Sequence, residues 1–334
     1  MQLPPRAIFA FNANIDHHCF PNEDELKRLG DFAPTLASQI DECFAYGVQR
    51  EVSVDTKVCN FLLSEFHGAK KIVGGQAGNA AQMASALGVE CLLHSNYASE
   101  GLLKLFAHPK KVMIATEAGF APADSVQNEK SEAHHFVFES AEARTRFIAS
   151  YDPQPLHPDS LFCEKIRDGL PSISHAFVSG FHLLPTVGRL GKFLQELRAW
   201  KEINPSLRLF CELGEFQKPE VRDAMQEELH LLDMVGLNDT ELSSFGMGVE
   251  EFSQKANAVL FHSQNAQEVL PEEKLDGEAL SFARKCAAFR AEFGRCATLP
   301  ELEGYEAKFV ENPAGTVGLG DTFSCAYFLA CKII

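Results

Sequence analysis

Short apolar runs alternate with amphipathic segments along most of the chain. The apolar runs predict strands in six places: "AIFAFNANID", "VECLLHS", "SHAFVSG", "LRLFCEL", "MVGLN" and "AVLFHS". Helical spacing between them predicts "AGNAAQMASALG" up to Gly88, residues 187–203, "PEVRDAMQEELHLLD", and "DGEALSFARKCAAFRAEFG" up to Gly294. This alternation is typical of βαβ units and predicts an α/β fold with a central, mostly parallel sheet flanked by helices.

Two regions, 19–68 and 110–152, depart from this alternation. They are more polar, and "AHHFVFES" and "TRFIAS" show the period of two that is typical of strands. We expect these segments to form a small β-rich lid, and residues 1–18, 69–109 and 153–334 to form the α/β core. Open α/β sheets bind ligands beyond the carboxyl ends of their strands, which is where such a lid would close.

Composition and charge exclude several classes of partner. The 334 residues carry a formal net charge of −16, which argues against a nucleic acid or an anionic membrane surface as a partner. The ten cysteines are scattered singly without a CxxC pair, which favours reduced thiols and a cytoplasmic location. The C-terminal "FSCAYFLACKII" is too short to span a membrane and predicts a buried helix.

The first candidate for chemistry is a glycine turn near the C-terminus, "NPAGTVGLGDT". Gly318, Leu319 and Gly320 precede Asp321 at the start of the apolar helix. Free backbone N–H groups and the helix dipole can bind an anion there, and a carboxylate beside them can take a proton from a hydroxyl. In the alternative interpretation, Asp321 only caps the helix.

The second candidate is the stretch "GGQAGNAAQMASALG". Gly74 and Gly75 allow a polyhydroxylated substrate to approach the backbone, while Gln76 and Asn79 offer donors and acceptors to its hydroxyls. Alternatively, this stretch is only a helix start packed closely on a strand.

Together the two stretches resemble the paired signatures of ribokinase-type sugar kinases. Within that superfamily, "FNANID", "GGQAG", "SGFHLL", "VGLNDTEL" and "NPAGTVGLGDT" resemble, in this order, the ADP-dependent glucokinase and phosphofructokinase family. The resemblance implies a ribokinase-like fold and Mg²⁺-dependent transfer of a phosphoryl group from ADP to a hydroxyl of glucose or fructose 6-phosphate.

The resemblance also implies roles for individual residues. Asp321 would be the general base, and the amides of Gly318, Leu319 and Gly320 would bind the transferred phosphoryl group. The implied sugar contacts, together with the glycine near the floor of the site, are Asn12, Asn14, Asp16 and Gly180.

The implied metal and nucleotide contacts lie at three strand ends and in the turn. Asn238 and Glu241 match an N-x-x-E motif that organises Mg²⁺, although alone they would be interpreted as a helix cap and a first-turn acid. Glu212 matches the acid of an H-x-E metal motif, in which Phe210 replaces the histidine. The predicted nucleotide contacts are Asn238, His262 and Val317.

Two other functions remain open at the level of sequence. One is an ATP-dependent ribokinase-like kinase of another sugar, a nucleoside or a vitamin, and the other is a catalytically silent protein that binds a sugar or a nucleotide. The segment "HGAKKIVGG" lacks the glutamate that the resemblance associates with glucose, which favours a phosphorylated sugar. The adjacent histidines at 17 and 18 and at 134 and 135 are expected to be exposed. The oligomeric state is not predicted.

Overall fold

The structure is a computed structural model that describes residues 2–127, 131–140, 145–158, 160–263, 266–311 and 313–333. Its strands in chain order are β1 (Arg6–Ala10), β2 (Asn14–Cys19), β3 (Arg50–Ser53), β4 (Lys70–Gly74), β5 (Glu90–Leu93), β6 (Val112–Thr116), β7 (Gly119–Pro122), β8 (His134–Ser140), β9 (Thr145–Tyr151), β10 (His175–Val178), β11 (Arg208–Glu212), β12 (Met234–Leu237), β13 (Val259–His262) and β14 (Gln267–Leu270).

The helices follow the predicted amphipathic segments, and the lid region adds further helices. In chain order they are α1 (Glu23–Phe32), α2 (Pro34–Tyr46), α3 (Thr56–Glu65), α4 (Gln76–Ala86), α5 (Glu100–Leu103), α6 (Ser160–Arg167), α7 (Val187–Ile203), α8 (Pro219–Glu227), α9 (Asp239–Ser244), α10 (Val249–Ser253), α11 (Gly277–Phe293), α12 (Leu299–Leu302) and α13 (Leu319–Ala330).

The larger sheet has the strand order β14-β13-β12-β11-β10-β1-β5-β6-β7. All neighbours pair in parallel except β13 with β14 and β6 with β7, which confirms the mostly parallel sheet. Its strands from β13 to β5 in this order are buried on both faces apart from a few end residues, because helices cover both sides of the sheet. In β1, Ala7 and Phe9 pack with α4, α11 and α13, whereas Ile8 and Ala10 pack with α6, α7 and α8.

The smaller sheet has the strand order β3-β9-β8-β2-β4. One of its faces packs on α1, α2 and α3 through a separate apolar cluster that includes Phe136, Phe138 and Phe147. The pairing registers place alternate residues of these strands on the opposite face, called the polar face here, which carries charged and polar side chains together with Val137 and Ile148.

The two sheets differ from the predicted core and lid in two places, near residue 18 and after residue 110. The chain leaves β1 at Ala10 and enters the small sheet as β2, so Asn14 and Asp16 belong to that sheet and not to the carboxyl end of the first strand. Strand β6 pairs in parallel with β5 after a helical connection, which assigns β6 and β7 to the large sheet. Residues 128–130 and 141–144 of the predicted lid lie outside the described residues. The division into a core and a lid that closes stays a prediction.

The C-terminal helix α13 is buried from Thr322 to Ala330 between α4 and α11, as its apolar sequence predicts. Among the described residues, none of the helices has the length and the apolar character needed to cross a membrane. All ten cysteines are free, and nine of them are buried.

Candidate active site

The polar face of the small sheet brings together charged side chains from three strands. Asp16 pairs with His135 between β2 and β8, and Glu139 pairs with Arg146 between β8 and β9. Paired residues point to the same face, so these side chains share it with His18 of β2. The face meets the C-terminal turn, because Arg146 Nη1 lies 3.4 Å from the carbonyl oxygen of Thr316, and Thr316 Oγ1 donates to Glu139 Oε1 at 3.0 Å.

The residues predicted to contact a sugar lie at the junction of the two sheets. Asn12, Asn14 and Asp16 are buried, and Asn14 Nδ2 donates to Asp16 Oδ1 at 2.6 Å. Within the described residues, Asn14 Oδ1 has no hydrogen-bond partner. A buried acceptor without a donor is costly unless something donates to it, which a sugar hydroxyl can do.

The glycines of this junction are required by close packing. Gly75 has φ +73°, and a Cβ there would lie 2.6 Å from the carbonyl oxygen of Asn12. A Cβ at Gly74 would overlap the Asp16 carboxylate, and one at Gly180 would lie 2.8 Å from Asn12 Cβ. The three predicted glycines therefore give space to Asn12 and Asp16, which are themselves predicted site residues.

Gln76 lies at the start of α4, beside this junction. Its Nε2 donates to the carbonyl oxygen of Leu213 at 2.9 Å, which fixes the side chain against the large sheet. Its Oε1 is buried and has no partner within the described part of the chain. Gln76 thus offers one acceptor at the place where the sequence predicts a sugar.

His17, His134 and His135 are buried and His18 is half-buried, so the expectation that the histidine pairs are exposed is wrong. Strand β2 lies inside the small sheet between β4 and β8, and its His17 stacks on Phe136 under the helices. His135 lies near Asp152, with Nε2 3.4 Å from the carboxylate. Burial alone would lower the pKa of His135, but Asp152, Glu51 and Asp16 together raise it to about 9.

The glycine turn leads into the C-terminal helix α13, and its role in binding a phosphoryl group stays a prediction. Gly318 caps α13 with φ +72°, and Asp321 stands in the first turn of that helix. The carboxylate does not cap the helix; its Oδ2 accepts from Asn79 Nδ2 at 3.0 Å. Asn79 is buried and its amide is occupied by Asp321 and Arg290, so the structure places it beside the predicted base.

Asp321 is surrounded by charges of both signs. Burial and the Glu212 carboxylate raise its pKa to about 6, while the cations of Arg290, Arg146 and His262 act in the opposite direction. A carboxyl group with this pKa is mostly ionised at neutral pH and still binds a proton more strongly than an ordinary aspartate. Both properties suit a general base.

Glu212 and His262 form a buried pair across the large sheet. His262 Nε2 and Glu212 Oε1 are 2.7 Å apart, although β12 lies between their strands. The pair crosses β12 at Gly236, where a Cβ would overlap the Glu212 carboxylate. Burial would lower the pKa of His262, but the carboxylates of Glu212, Glu241 and Asp321 raise it to about 9. A Cβ at Gly320 would lie 2.8 Å from His262 Cε1, so His262 also packs under the glycine turn.

The N-x-x-E segment forms the helix cap that the alternative interpretation predicts. Asn238 Oδ1 accepts from the N–H groups of Thr240 and Glu241, and the Asn238 N–H donates to Glu241 Oε2 at 2.9 Å. This capping box holds the buried Glu241 carboxyl near Glu212. Burial and Glu212 raise the pKa of Glu241 to about 7. The cap therefore positions the acid that the motif predicts, and its role with a metal stays a prediction.

The carboxylates fit a magnesium ion that is held mainly through phosphate oxygens and water. Among the described residues, the structure contains no group of three or more His, Cys, Asp or Glu side chains arranged to hold a metal directly. Mg²⁺ in nucleotide sites commonly takes only one or two carboxylates. Glu212 Oε2 is buried without a partner within the described ranges. Glu241 lies close enough to Glu212 that the negative charge of Glu212 raises the pKa of Glu241.

Sequence analysis missed two arginines at this site. Arg146 of β9 lies near both Asp16 and Asp321, since its charge acts on the pKa of each. Arg290 of α11 is 8% exposed and bonds to Asn79, Thr322 and Val317. The available signal for Arg146 was its place in the strand "TRFIAS", on the face opposite Phe147 and Ala149. Arg290 stands at the buried end of an amphipathic helix, where an arginine requires partners.

Several solved structures that superpose on this chain are kinases. A hypothetical ADP-dependent phosphofructokinase from Pyrococcus horikoshii OT3 superposes with a TM-score of 0.76 at 17% sequence identity, covering 98% of each chain. An ADP-dependent kinase in complex with fructose-6-phosphate and ADPβS gives 0.77 at 17% identity, covering 97% of this chain and 93% of that chain. The adenosine kinase from Sinorhizobium meliloti gives 0.57 at 16% identity, covering 81% and 78%. The fold is that of the ribokinase-like kinases.

A match to a family model shows to which family within this class the chain belongs. The model of the conserved region of ADP-specific phosphofructokinase/glucokinase matches residues 10–274, which is most of the chain. The protein belongs to the ADP-specific phosphofructokinase/glucokinase family, which confirms the resemblance found from its motifs. It is accordingly a phosphotransferase with a sugar hydroxyl as acceptor. No curated protein matches the sequence at a significant level.

Proposed function

We propose that this protein transfers the β-phosphoryl group of ADP to a hydroxyl of glucose or fructose 6-phosphate, with Mg²⁺, and releases AMP. The observation that carries the proposal is Asp321, a partly buried carboxylate at the start of α13, directly after the glycine turn. Membership of the ADP-specific family supports ADP as donor. The similar kinase solved with fructose-6-phosphate and ADPβS supports a sugar phosphate as one acceptor.

In this mechanism Asp321 accepts the proton of the attacking hydroxyl. Asn79 donates to its Oδ2 at 3.0 Å, and the proposal assigns the proton to Oδ1. The hydroxyl oxygen bonds to phosphorus, the bond from phosphorus to the bridging oxygen breaks, and AMP leaves with that oxygen. The N–H groups of Gly318, Leu319 and Gly320 bind the transferred phosphoryl group, and Arg146 offsets its negative charge.

Acceptor binding is assigned to the junction of the two sheets. Asn12, Asn14 and Asp16 offer buried polar atoms to hydroxyls, and Gln76 Oε1 supplies a further acceptor. The charge of Arg146 acts on the pKa of Asp16 and on that of Asp321, so its guanidinium group lies near both carboxylates. In this proposal the acceptor hydroxyl lies between its binding residues and Asp321.

The magnesium ion would be held by Glu212 and Glu241, with Asn238 orienting Glu241. Mg²⁺ neutralises charge on the phosphates and helps to orient them for in-line transfer. His262 pairs with Glu212, where it limits the negative charge that the two carboxylates concentrate. His262 and Val317 also lie beside the glycine turn, which agrees with their assignment to the nucleotide side.

A product assay tests the donor and the acceptor together. The protein is incubated with Mg²⁺ and either ADP or ATP, with glucose or fructose 6-phosphate, and AMP and ADP are quantified by chromatography. We expect AMP to form from ADP only when a sugar acceptor and Mg²⁺ are present. Formation of ADP from ATP with no AMP from ADP would reject ADP as donor, and chelation with EDTA is the control for the metal.

The acid limb of the pH–rate profile is expected near pH 6. Asp321 has its pKa raised from an ordinary value of 3.8 to about 6, so the base becomes protonated as the pH falls through that value. kcat/KM reports the free enzyme, and it should fall about tenfold per pH unit below the limb. Initial rates between pH 4.5 and 8 at low substrate concentration measure it. A limb near pH 4 would contradict this environment for Asp321.

A further inference from the structure

Arg290 joins three separate elements through one buried guanidinium group. Its Nη1 donates to Thr322 Oγ1 at 2.7 Å, and its Nη2 donates to Asn79 Oδ1 at 2.7 Å and to the carbonyl oxygen of Val317 at 3.2 Å. Thr322 and Val317 lie on either side of the glycine turn, and Asn79 lies on α4. Arg290 therefore holds both ends of the turn while it contacts the partner of Asp321.

The chemistry of the guanidinium group fixes the orientation of the Asn79 amide. Guanidinium offers only N–H donors, so the oxygen of Asn79 must face Arg290. The amide nitrogen then faces Asp321, where it donates to Oδ2 at 3.0 Å. If the amide were reversed, its N–H₂ group would oppose the guanidinium and its oxygen would oppose the carboxylate. Each reversed contact would be repulsive. Arg290 therefore ensures that the amide nitrogen of Asn79, and not its oxygen, contacts Asp321.

The turn packs closely against Arg290 and Asn79 and has no space for a side chain at Gly318. A Cβ at Gly318 would lie 2.5 Å from both Arg290 Nη2 and Asn79 Oδ1. Arg290, Asn79 and Thr322 are all buried, so their hydrogen bonds are shielded from water. Desolvated, charge-assisted hydrogen bonds of this kind are stronger than exposed ones.

We propose that Arg290 is a positioning residue of the phosphoryl-transfer reaction: through Asn79 it orients Asp321 toward the acceptor hydroxyl, and through Val317 and Thr322 it fixes the turn that binds the phosphoryl group. This inference rests on the proposed function of Asp321 as general base. It assigns Asn79 to the support of the base, in place of the substrate contact suggested by the sequence.

Charged groups from several elements act on Asp321, and the effect of Arg290 must be separated from the others. They include Glu212 of β11, Glu241 of α9, Arg290 of α11, Arg146 of β9 and His262 of β13. Loss of the cation at 290 removes one influence that keeps the carboxyl ionised, while the other groups remain. The acid limb of kcat/KM should therefore move to higher pH in a variant that lacks this charge.

The test is a double-mutant cycle between Arg290 and Asp321. In Arg290→Gln we expect kcat to fall ~10–10²-fold, because misplacing a reacting group by about 1 Å costs up to that amount. KM for ADP should change much less. The double variant Arg290→Gln/Asp321→Asn should be no slower than Asp321→Asn alone, because a residue that acts through the base has no effect after the base is lost.

Two further variants keep the test decisive. Arg284→Gln removes an exposed arginine from the same helix and should leave kcat unchanged. Arg290→Lys keeps the charge but not the fork, and should lose less than Arg290→Gln. If thermal melting shows that Arg290→Gln does not fold, the same cycle is measured with Arg290→Lys.

The outcomes separate this inference from the proposed function. An unchanged kcat in Arg290→Gln, or losses that simply multiply in the double variant, would overturn the positioning role while Asp321→Asn still abolishes turnover. Full turnover in Asp321→Asn would instead reject the general base, and with it the function on which this inference rests.

Discussion

Replacing Asp321 with asparagine is expected to lower kcat ~10²–10⁴-fold, the contribution typical of a positioned general base. Asparagine keeps the size of the side chain and its contact with Asn79 but cannot accept a proton from the hydroxyl. Binding of ADP and sugar should persist, because the backbone amides of the turn and the polar groups at the sheet junction are unchanged. Steady-state kinetics measure turnover, and thermal shifts with each ligand measure binding.

The matched control for this variant is Asp223→Asn, which removes an exposed carboxylate from α8. It should have the turnover of the unmodified protein. Comparable activity of Asp321→Asn and Asp223→Asn would exclude proton transfer by residue 321. Loss of ligand binding in Asp321→Asn would indicate instead that the carboxylate supports the architecture of the site.

Replacing Arg146 with methionine is expected to lower kcat ~10²–10³-fold, the effect of removing one preorganised group that stabilises charge in the transition state. Methionine fills similar space without the positive charge. The guanidinium lies near Asp16, Asp321 and the Thr316 carbonyl, so it faces the place where we assign the transferred group. Arg146→Lys should retain part of the rate, because it keeps the charge without the planar fork.

Arg50→Met provides the control for that experiment. Arg50 stands on β3 of the same sheet, and its exposed ion pair with Glu42 has a separation of 3.6 Å. Exposed ion pairs contribute little, so kcat should be unchanged. Equal rates for Arg146→Met and Arg50→Met would mean that residue 146 does not meet the transferred phosphoryl group.

Local patterns were sufficient to predict most of the large sheet and its helices. Helix α7 has the predicted bounds, Val187–Ile203, and the predicted helix ends at Gly88 and Gly294 have left-handed φ values of 88° and 66°. These elements are read from spacing and from residues with special backbone freedom, which are local properties of the sequence. The position of Asp321 after the glycine turn is equally local.

Membership of the small sheet depends on pairings that no local pattern specifies. "AIFAFNANID" reads as one strand, yet the chain turns between Ala10 and Asn14 and continues in the other sheet. The burial of His17 follows from the same pairing, because β2 is an inner strand covered by helices on one face. A histidine pair alone does not reveal which strands flank it.

The arginines of the site were missed for a related reason. Arg290 and Asn79 are 211 positions apart in sequence, and Arg146 and Thr316 are 170 positions apart. A sequence motif identifies functional residues only when they lie close together in one short segment, as Asn238 and Glu241 do. Supporting side chains from distant helices and strands become visible only when the fold brings them together.

The chain passes between the two sheets four times, at residues 11–13, at Gly75, between residues 123 and 133, and between residues 152 and 174. Neither sheet is a continuous piece of the gene. The small sheet cannot be completed on a ribosome until β9 has emerged, and by then only part of the large sheet has been synthesised. No contiguous fragment of the chain contains all strands of one sheet without strands of the other.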